Sequence, residues 1–367
     1  MTVYYSVYAI MCFVALISQN MSQNLKYRHK MICIIGFTLI FGILALRHWS
    51  MGNDLGFYVP SNENSGYIPS FMKLNTYSWK EILKMKSFLN YEKGYVIFNK
   101  LVGSIYCNKQ FFLGVCAFIN IFVTAVTIYR KSRLPLLSWI VFMGLPVFLM
   151  FFSGMRQSIA ISITMIATHW IEEKKPIKFI LTVLLASTFH QSAIVFLIAY
   201  PVYHMELTDF RKVVCIIMIP IVYILRRPLF AVLSKILKDN AEVTSTGAGT
   251  LFIVFFAIYI TMAIFNSYSK KNPNKMINLF YVACVCQAFS GIYNLAIRVG
   301  YYFMIYLIIA LPNTVYEFKK QEVRTANQEF ILSYTVIFAA FLIFGIYSIA
   351  NGTWAHTNPY HFFWQSV

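Results

Sequence analysis

Residues 111–152 read FFLGVCAFINIFVTAVTIYRKSRLPLLSWIVFMGLPVFLMFF. The stretch contains two apolar runs, 111–129 and 134–152, on either side of a short basic turn. Each run is about as long as an α-helix must be to cross roughly 30 Å of hydrocarbon, and a charged turn between them suits a membrane surface. The stretch therefore predicts a helical hairpin that spans a membrane.

The rest of the chain has the same character. Of its 367 residues, 59% are hydrophobic and 12% are charged, and the mean hydropathy is +0.63. These values exclude cytosolic, secreted globular and disordered proteins. We predict an all-α polytopic protein, with residues 1–367 forming one integral membrane domain of about twelve transmembrane helices. The predicted spans are 2–18, 31–46, 111–129, 134–152, 156–171, 176–190, 192–205, 213–225, 251–268, 276–296, 299–316 and 330–350.

The basic residues of the short loops predict the orientation. Seventeen of the 31 lysines and arginines fall on one side, which the positive-inside rule makes cytoplasmic. They are Lys26, Arg28, Lys30, Arg130, Lys131, Arg133, Lys174, Lys175, Lys178, Arg211, Lys212, Lys270, Lys271, Lys275, Lys319, Lys320 and Arg324. Both termini are then extracytoplasmic. Residues 2–18 are expected to be a retained span, because they lack the basic start and the cleavage site of a signal peptide.

The net charge of +18 does not indicate a nucleic-acid partner, since the basic residues are spread over many loops and form no single tract. It suits a membrane surface or an anionic lipid-linked ligand. The seven cysteines lie mostly in apolar runs, where a thiol packs as a small hydrophobic group. Neither a disulfide framework nor a zinc site is predicted.

Two extracytoplasmic segments, 47–110 and 226–250, are longer than turns require. Each is predicted to contain an amphipathic helix lying in the interface, and together they are expected to roof a cavity that opens outward. In the first, residues 93–106, the apolar face holds Ile97, Leu101 and Ile105, away from Asn99, Lys100 and Ser104. In the second, Pro228 opens a helix whose apolar face holds Leu229, Leu233, Ile236 and Leu237.

Polar residues follow the outer end of the second span, from Arg47 to Asp54, with Tyr58 just beyond. Gly52 allows the chain to turn, and Asp54 provides an acceptor at the boundary between water and hydrocarbon. An ordinary interfacial cap with a snorkelling arginine would also explain this stretch.

The turn at 153–157 places Arg156 and Gln157 at the mouth of a predicted span. An arginine beside the open amides of a helix N-terminus is typical of an anion site, although snorkelling is the alternative. His190 lies between two apolar runs at the same predicted surface, and a lone histidine is more often structural than functional.

Five arginines map to this outer face, and arginine binds phosphate oxygens in bidentate fashion. They are Arg47, Arg156, Arg226, Arg227 and Arg298. Their convergence on one face is stronger evidence than any one of them.

The order of these motifs resembles the EpsG family of exopolysaccharide proteins, which are similar to Wzy-type polymerases of capsule and O-antigen repeat units. The motifs are Arg-x4-Gly-x-Asp-x3-Tyr at 47–58, Glu92-Lys93-Gly94-Tyr95, Gly-x-Arg-Gln-x-Ile-Ala at 154–160, Ala-Ser-x2-His-x-Ser-Ala at 186–193 and the tail residues Asn358-Pro359-Tyr360. The resemblance covers most of the chain and is strongest from 47 to 200. A Ser/Asn-rich insert at 61–66 departs from the family pattern.

The resemblance implies a membrane glycosyltransferase with a GT-C-like architecture in the bacterial inner membrane. It would join glycan repeat units carried on undecaprenyl diphosphate at the outer leaflet, and its partners would be the lipid-linked oligosaccharide, as donor and acceptor, membrane lipid and a chain-length regulator. No cofactor is expected. The five arginines would hold the diphosphate. Gly52, Tyr58, Glu92 and Gln157 would support the site.

The chemistry of the residues agrees with this. A departing diphosphate needs cationic stabilisation, which arginines supply without metal. Six carboxylates on the outer face show no Asp-x-Asp spacing, so no metal site is predicted. The acceptor hydroxyl needs a general base, and the candidates are His190 and Asp54. We favour His190, because imidazole titrates near neutral pH, with Asp54 orienting the acceptor or pairing with an arginine.

Three rival functions can be compared with the sequence. A flippase or transporter of lipid-linked oligosaccharide would need ionisable groups at the midplane and often paired repeats, neither of which is evident. A membrane acyltransferase could use His190 as its base but would need an acyl-donor motif. A transferase that uses a monophosphate-linked sugar would have an acidic pair early in the chain, and Asp54 has no acidic neighbour.

Overall fold

The computed structural model describes residues 1–18, 24–56, 66–86, 88–237, 249–266, 274–318, 326–351 and 355–366. The predicted all-α class is confirmed, since these residues form helices and two isolated β-bridges. The helices are α1 Thr2–Ile17, α2 Leu25–Ala45, α3 Tyr67–Leu74, α4 Trp79–Lys84, α5 Lys93–Ile105, α6 Lys109–Lys131, α7 Pro135–Gly144, α8 Pro146–Ser153, α9 Met155–Glu172, α10 Pro176–Ser187, α11 Ala199–His204, α12 Asp209–Ile224, α13 Arg226–Leu237, α14 Gly249–Asn266, α15 Met276–Gln287, α16 Asn294–Met304, α17 Leu307–Phe318 and α18 Ala326–Asn351. Two 3₁₀ helices cover Asn53–Leu55 and Gln191–Ile198.

Among the described helices, α2, α6, α14 and α18 are each long and apolar enough to cross a membrane. Three bent pairs also qualify, namely α7 with α8 at 66°, α12 with the first part of α13 at 76° and α16 with α17 at 46°, giving up to seven spans. Helices α1, α10 and α15 are apolar but shorter. The chain is therefore a multi-pass membrane protein, while the count of twelve spans stays a prediction.

Several predicted spans are interrupted. The predicted helix 134–152 bends at Pro146, which has no amide hydrogen to continue the backbone ladder. The predicted helix 276–296 is wrong as a continuous element: α15 ends at Gln287, and a turn through Gly291, whose φ is +78°, precedes α16. The predicted helix 192–205 begins as a 3₁₀ helix and has only a short α-helical end.

The chain forms two compact units. The first contains Met1–Ile194 and Leu332–Val367, and the second contains Val195–Ile331. The expectation of one membrane domain stays a prediction.

The helices α2, α6, α9 and α10 form the centre of the first unit, with α6 against α2 and α9, and α9 against α10. The buried Asn120 of α6 binds two hydroxyls of α9: its Nδ2 donates to Ser158 Oγ at 2.9 Å, and its Oδ1 accepts from Ser162 Oγ at 2.9 Å. A satisfied polar pair inside an apolar core fixes the register of the two helices. This fixes where α9 begins, and α9 begins at the candidate site.

The C-terminal tail packs against the start of segment 47–110. His48 N–H donates to His361 O at 2.7 Å, and Arg47 and Phe362 form an antiparallel bridge. Tyr4 Oη, near the N-terminus, donates to Thr357 O at 2.7 Å. Both ends of the chain and the start of this segment therefore lie at one end of the first unit.

Helices α3, α4 and α5 form a compact structure within segment 47–110. Lys100 Nζ, on α5, donates to Asn75 O at 3.3 Å and Tyr77 O at 2.6 Å, just past the end of α3. Lys93 Nζ donates to Ile82 O at 2.5 Å and to two further carbonyls at the end of α4. These two ammonium groups satisfy carbonyls that the ends of α3 and α4 leave unpaired.

The helix predicted at 93–106 is present as α5, but the face that it buries in the protein contains polar residues. Asn99 and Lys100 are buried, whereas Leu101 is 51% exposed and Ile105 is 77% exposed. The reason is that the polar side chains bind carbonyls inside the segment, which leaves the apolar edge without a protein partner. An uncovered apolar edge is compatible with the interfacial placement, which stays a prediction.

In the second unit, α15 packs against α14, α16 and α17. The helix predicted from Pro228 is present as α13, but Leu229 on its predicted apolar face is exposed. Its neighbour Phe230 is buried instead, 4.9 Å from the Tyr293 ring. The side chains of Leu233, Ile236 and Leu237 lie outside the described residues.

Candidate functional site

The candidate site lies in the first unit, where α9 begins. Gly154 separates α8 from α9, and Arg156 is in the first turn of α9. Arg156 Nη1 forms an ion pair with Glu92 Oε2 at 2.6 Å, and Arg156 Nε donates to Tyr67 Oη at 3.4 Å. The Arg156 side chain is only 20% exposed, so the pair is largely removed from water.

Tyrosine rings line the guanidinium. The centre of the Arg156 guanidinium lies 4.6 Å from the Tyr91 ring centroid and 5.9 Å from that of Tyr67. Tyr91 in turn contacts the Tyr67 and Tyr95 rings, at centroid distances of 5.8 and 5.5 Å. Ring faces attract a cation and restrict its movement, so Arg156 is held in place by packing as well as by its ion pair.

Glu92 joins three elements. It occupies the N-cap position of α5, and its Oε1 accepts from Gln191 N–H at 2.9 Å while lying 3.5 Å from His190 Nδ1. Burial raises the pKa of the Glu92 carboxyl, but the nearby His190 ring, hydrogen bonds from backbone N–H groups and the charge of Arg156 outweigh it and bring the pKa to about 2. Glu92 is therefore a carboxylate at any physiological pH.

Close backbone packing sets the position of Glu92 relative to His190. Tyr95 N–H donates to Thr188 O at 3.2 Å, so the first turn of α5 lies against the turn that follows α10. A Cβ at Gly94 would overlap Thr188 Oγ1 and lie 2.8 Å from Thr188 O. Glycine at this position lets the two turns meet, which explains the Glu92-Lys93-Gly94-Tyr95 motif in physical terms.

Asp54 is held in the 3₁₀ turn beside α8. Its backbone N–H donates to Ser153 Oγ at 3.1 Å. Gly52 has a φ of +125°, and a Cβ there would overlap Phe152 O, so only glycine fits this turn.

The Asp54 carboxylate acts on the same tyrosines as Arg156. Burial raises the pKa of the Tyr67 phenol to about 12; Arg156 opposes that rise and the charge of Asp54 adds to it. Burial also raises the pKa of Tyr91, with a similar contribution from Asp54. Asp54 and Arg156 therefore both act electrostatically on the Tyr67 and Tyr91 phenols.

Arg47 has a different environment. Its side chain is 2% exposed, and it donates to Leu44 O and Phe152 O, each at 3.1 Å, while lying 5.0 Å from the Phe152 ring centroid. These contacts join α2 to α8 inside the fold, which suits a structural role better than diphosphate binding. Gln157 is also buried, at the start of α9, and Tyr58 lies outside the described residues.

The remaining predicted arginines belong to the second unit. Arg226 lies over the Tyr223 ring, 3.8 Å from its centroid, while Arg227 and Arg298 are exposed. The structure thus brings Arg156, Glu92 and His190 together with Asp54 beside them. The joint grip of five arginines on one diphosphate stays a prediction.

Tyr91 was not among the predicted site residues, and Ser153 was predicted only as the first residue of the turn at 153–157. Tyr91 directly precedes the Glu92-Lys93-Gly94-Tyr95 motif, and Ser153 directly precedes Gly154. Their positions next to these motifs are the one feature of the sequence that indicates a place in the site. Neither contact could be inferred from spacing, because each joins segments that are far apart in sequence. Among the described residues, no three His, Cys, Asp or Glu side chains form a group that could hold a metal ion.

These features define a class of protein: a multi-pass helical membrane protein in which segment 47–110 and the turns between helices gather a guanidinium, two carboxylates and an imidazole. The chain matches the EpsG family over residues 30–362, and it belongs to that family. The matched region begins in α2 and ends in the C-terminal tail, so the resemblance drawn from the motifs is confirmed. Membership indicates a Wzy-like polymerase of glycosyltransferase type. No curated protein and no solved structure matches the chain.

Proposed function

We propose that this protein polymerises glycan repeat units carried on undecaprenyl diphosphate, at the outer leaflet of the bacterial inner membrane, using a GT-C-like membrane domain. The observation that supports the proposal best is the group formed by Arg156, Glu92 and His190 at the start of α9. It combines a phosphate-binding cation with a base in one partly buried place, which glycosyl transfer from a diphosphate requires.

Arg156 is proposed to bind the diphosphate. It lies in the first turn of α9, where helix amides have no intrahelical partner and the helix dipole favours an anion. A guanidinium can donate two parallel hydrogen bonds to phosphate oxygens, and it stabilises the charge that appears on the leaving diphosphate. No metal is needed for this step, and we propose that the enzyme works without one.

His190 is proposed to be the general base. Its Nδ1 faces Glu92, which leaves Nε2 as the atom that can accept a proton from the acceptor. The acceptor hydroxyl oxygen forms a bond to the anomeric carbon, the bond from that carbon to the diphosphate oxygen breaks, and its electron pair leaves with the diphosphate. The hydroxyl proton goes to His190 Nε2. Asp54, beside the same tyrosines, is proposed to orient the acceptor.

Lipid-linked oligosaccharide would serve as both donor and acceptor, with its isoprenoid chain in the surrounding membrane lipid. The Tyr91 ring, partly exposed beside Arg156, offers a face on which a sugar can stack. Arg226, Arg227 and Arg298 are proposed as further diphosphate contacts, and a chain-length regulator as a protein partner.

The direct test uses purified protein in liposomes with an undecaprenyl-diphosphate-linked repeat unit. We expect a ladder of longer lipid-linked glycans, formed equally well in excess EDTA. Movement of unchanged substrate across the bilayer without a ladder would instead support a transporter. Loss of the ladder in EDTA, with recovery on adding magnesium or manganese, would overturn the metal-free mechanism.

A further inference from the structure

We propose that Glu92 is a positioning residue that exchanges partners during turnover: it pairs with Arg156 before substrate binds and with His190 once the substrate diphosphate occupies Arg156. This inference rests on the proposed function. It adds that binding of the donor and activation of the base are coupled through one carboxylate.

The two oxygens of Glu92 have separate partners in the structure. Oε2 is 2.6 Å from Arg156 Nη1, a short charge-assisted contact. Oε1 accepts from Gln191 N–H at 2.9 Å and lies 3.5 Å from His190 Nδ1. A separation of 3.5 Å is too long for a full hydrogen bond, so His190 is within reach of the carboxylate but not yet engaged by it.

The neighbouring groups offer no substitute for either partner. Tyr67 and Tyr91 are neutral phenols, and the carboxyl group of Asp54 provides no positive charge that could pair with a phosphate. Lys93, next to Glu92 in sequence, directs its ammonium to three carbonyls of α4 and the residue after it. Within the described part of the site, Arg156 is therefore the cation for which Glu92 and a diphosphate compete.

Displacement requires little motion. The backbone of Glu92 is fixed by the contact of α5 with the turn at Thr188, and its carboxylate already lies between Arg156 and His190. A diphosphate on Arg156 brings more negative charge than one carboxylate and repels Glu92 toward the imidazole. Rotation of one side chain is then enough to change the partner.

The exchange has a chemical consequence. When His190 Nε2 takes the acceptor proton, an imidazolium forms, and a carboxylate at Nδ1 stabilises that cation and fixes the ring. In the structure the carboxylate is paired with Arg156 instead. The base is thus strongest when a donor is bound, which limits proton abstraction from water or acceptor in the absence of donor.

The test measures binding and turnover separately. Binding of undecaprenyl diphosphate to the purified protein is compared between wild type and Glu92→Gln, alongside single-turnover glycosyl transfer. We expect Glu92→Gln to lower the Kd about tenfold, because Arg156 loses its charged competitor. Transfer should slow about 100-fold, because the imidazolium loses its counter-ion. A residue that only supports the fold would weaken both.

Glu81→Gln is the matched control, since Glu81 lies in the same segment and its side chain can still accept from Ser78 N–H after the change. Glu92→Asp, which keeps the charge on a shorter side chain, should show the same opposite changes at smaller amplitude and covers the case in which Glu92→Gln fails to fold. If wild type does not bind undecaprenyl diphosphate, the proposed function fails. If wild type binds and neither Glu92 variant binds more tightly, the exchange of partners is refuted.

Discussion

Arg156 uses the shape of its guanidinium as well as its charge. Its Nη1 contacts Glu92 and its Nε contacts Tyr67, two groups on different elements, while ring faces limit its rotation. A single ammonium is a point charge that cannot reproduce this fork. A lysine in place of Arg156 would therefore retain the positive charge at the start of α9 but lose the geometry of binding.

We predict that Arg156→Lys reduces polymer formation about 100-fold, since bidentate contact with the leaving diphosphate is lost. The measurement is the product ladder from reconstituted protein at matched expression. Arg130→Lys, at the exposed end of α6, is the control and should retain full activity. Near wild-type ladders from Arg156→Lys would rule out a bidentate role.

The proposed roles of His190 and Asp54 can be distinguished by the kinetic effects of substituting each residue. His190→Ala should abolish transfer but leave undecaprenyl diphosphate binding intact, because the base acts on the acceptor proton. Asp54→Asn should raise the KM for acceptor more than it lowers kcat, because the side chain is expected to orient the acceptor. Normal polymer from His190→Ala, with none from Asp54→Asn, would reverse the two roles.

The pKa of Glu92 predicts a pH-dependent stability. Because the pKa is lowered from 4.5 to about 2 in the folded protein, ionised Glu92 stabilises the fold above pH 4.5, and that contribution is lost as the pH falls toward 2. It amounts to roughly 2 to 3 kcal/mol. In detergent, the Tm of Glu92→Gln should lie below that of wild type by a constant gap from pH 7 to about 5.5, narrowing by about pH 3.5. A gap that does not change with pH would show that the ion pair contributes nothing.

At the scale of elements, the contact between α5 and the turn after α10 creates the site. Gly94 makes that contact possible, and it lies in a helix, where alanine is normally favoured over glycine by about 1 kcal/mol. Here the close approach to Thr188 reverses the preference, because the Thr188 carbonyl is backbone and cannot move aside cheaply.

Gly94→Ala is therefore expected to destabilise the protein by about 1 to 3 kcal/mol and to slow transfer, because it pushes Glu92 away from His190. Gly114→Ala in α6 is the control: a Cβ there meets no atom within 4 Å, and the same substitution should be neutral or stabilising. Thermal unfolding in detergent and single-turnover assays give the two readouts. Equal behaviour of both variants would contradict the steric argument.

Hydropathy was sufficient to predict the class of fold, but not the internal form of the elements. A window of apolar residues cannot reveal the bend at Pro146 or the turn at Gly291, because both leave the composition apolar. Periodicity separated the two faces of α5 correctly. It could not show that Lys100 points inward, because the carbonyls that Lys100 binds lie just past the end of α3.

The sequence predicted most members of the candidate site but not their contacts, because the contacts join segments that are distant in sequence. Arg156, His190, Asp54 and Glu92 each stood out by type and position in a turn. Their pairing did not, since Glu92 meets Arg156 and Gln191 across 64 and 99 residues of sequence. Likewise, the position of Arg47 at the end of a predicted span indicated a diphosphate contact. The structure shows instead that its side chain is buried and donates to Phe152 O.

At the scale of the whole molecule, the tail contacts constrain the topology. Leu46, at the end of α2, accepts from Phe363 N–H at 2.9 Å, and Tyr4 contacts Thr357 at the same end of the first unit. If α2 is a transmembrane span, α1 is expected to cross as well, because the N-terminus and the end of α2 lie at the same end of the first unit. We therefore predict an even number of crossings, with the shorter helix α1 as a span in addition to the longer candidates.

Labelling of single cysteines tests this topology and its orientation together. In a Cys107→Ser background, which removes the exposed native thiol, Lys80→Cys and Ser366→Cys should react with a membrane-impermeant maleimide in intact cells, because segment 47–110 and the C-terminal tail are expected outside. Lys178→Cys should react only after permeabilisation. All three positions are exposed on the protein surface, so failure to react with the maleimide reports protection by the membrane. Ser132 is not suitable for this test, because it is buried in the protein and would be protected on either side. Labelling of Lys178→Cys alone in intact cells would invert the topology and place Arg156, Glu92 and His190 at the cytoplasmic leaflet.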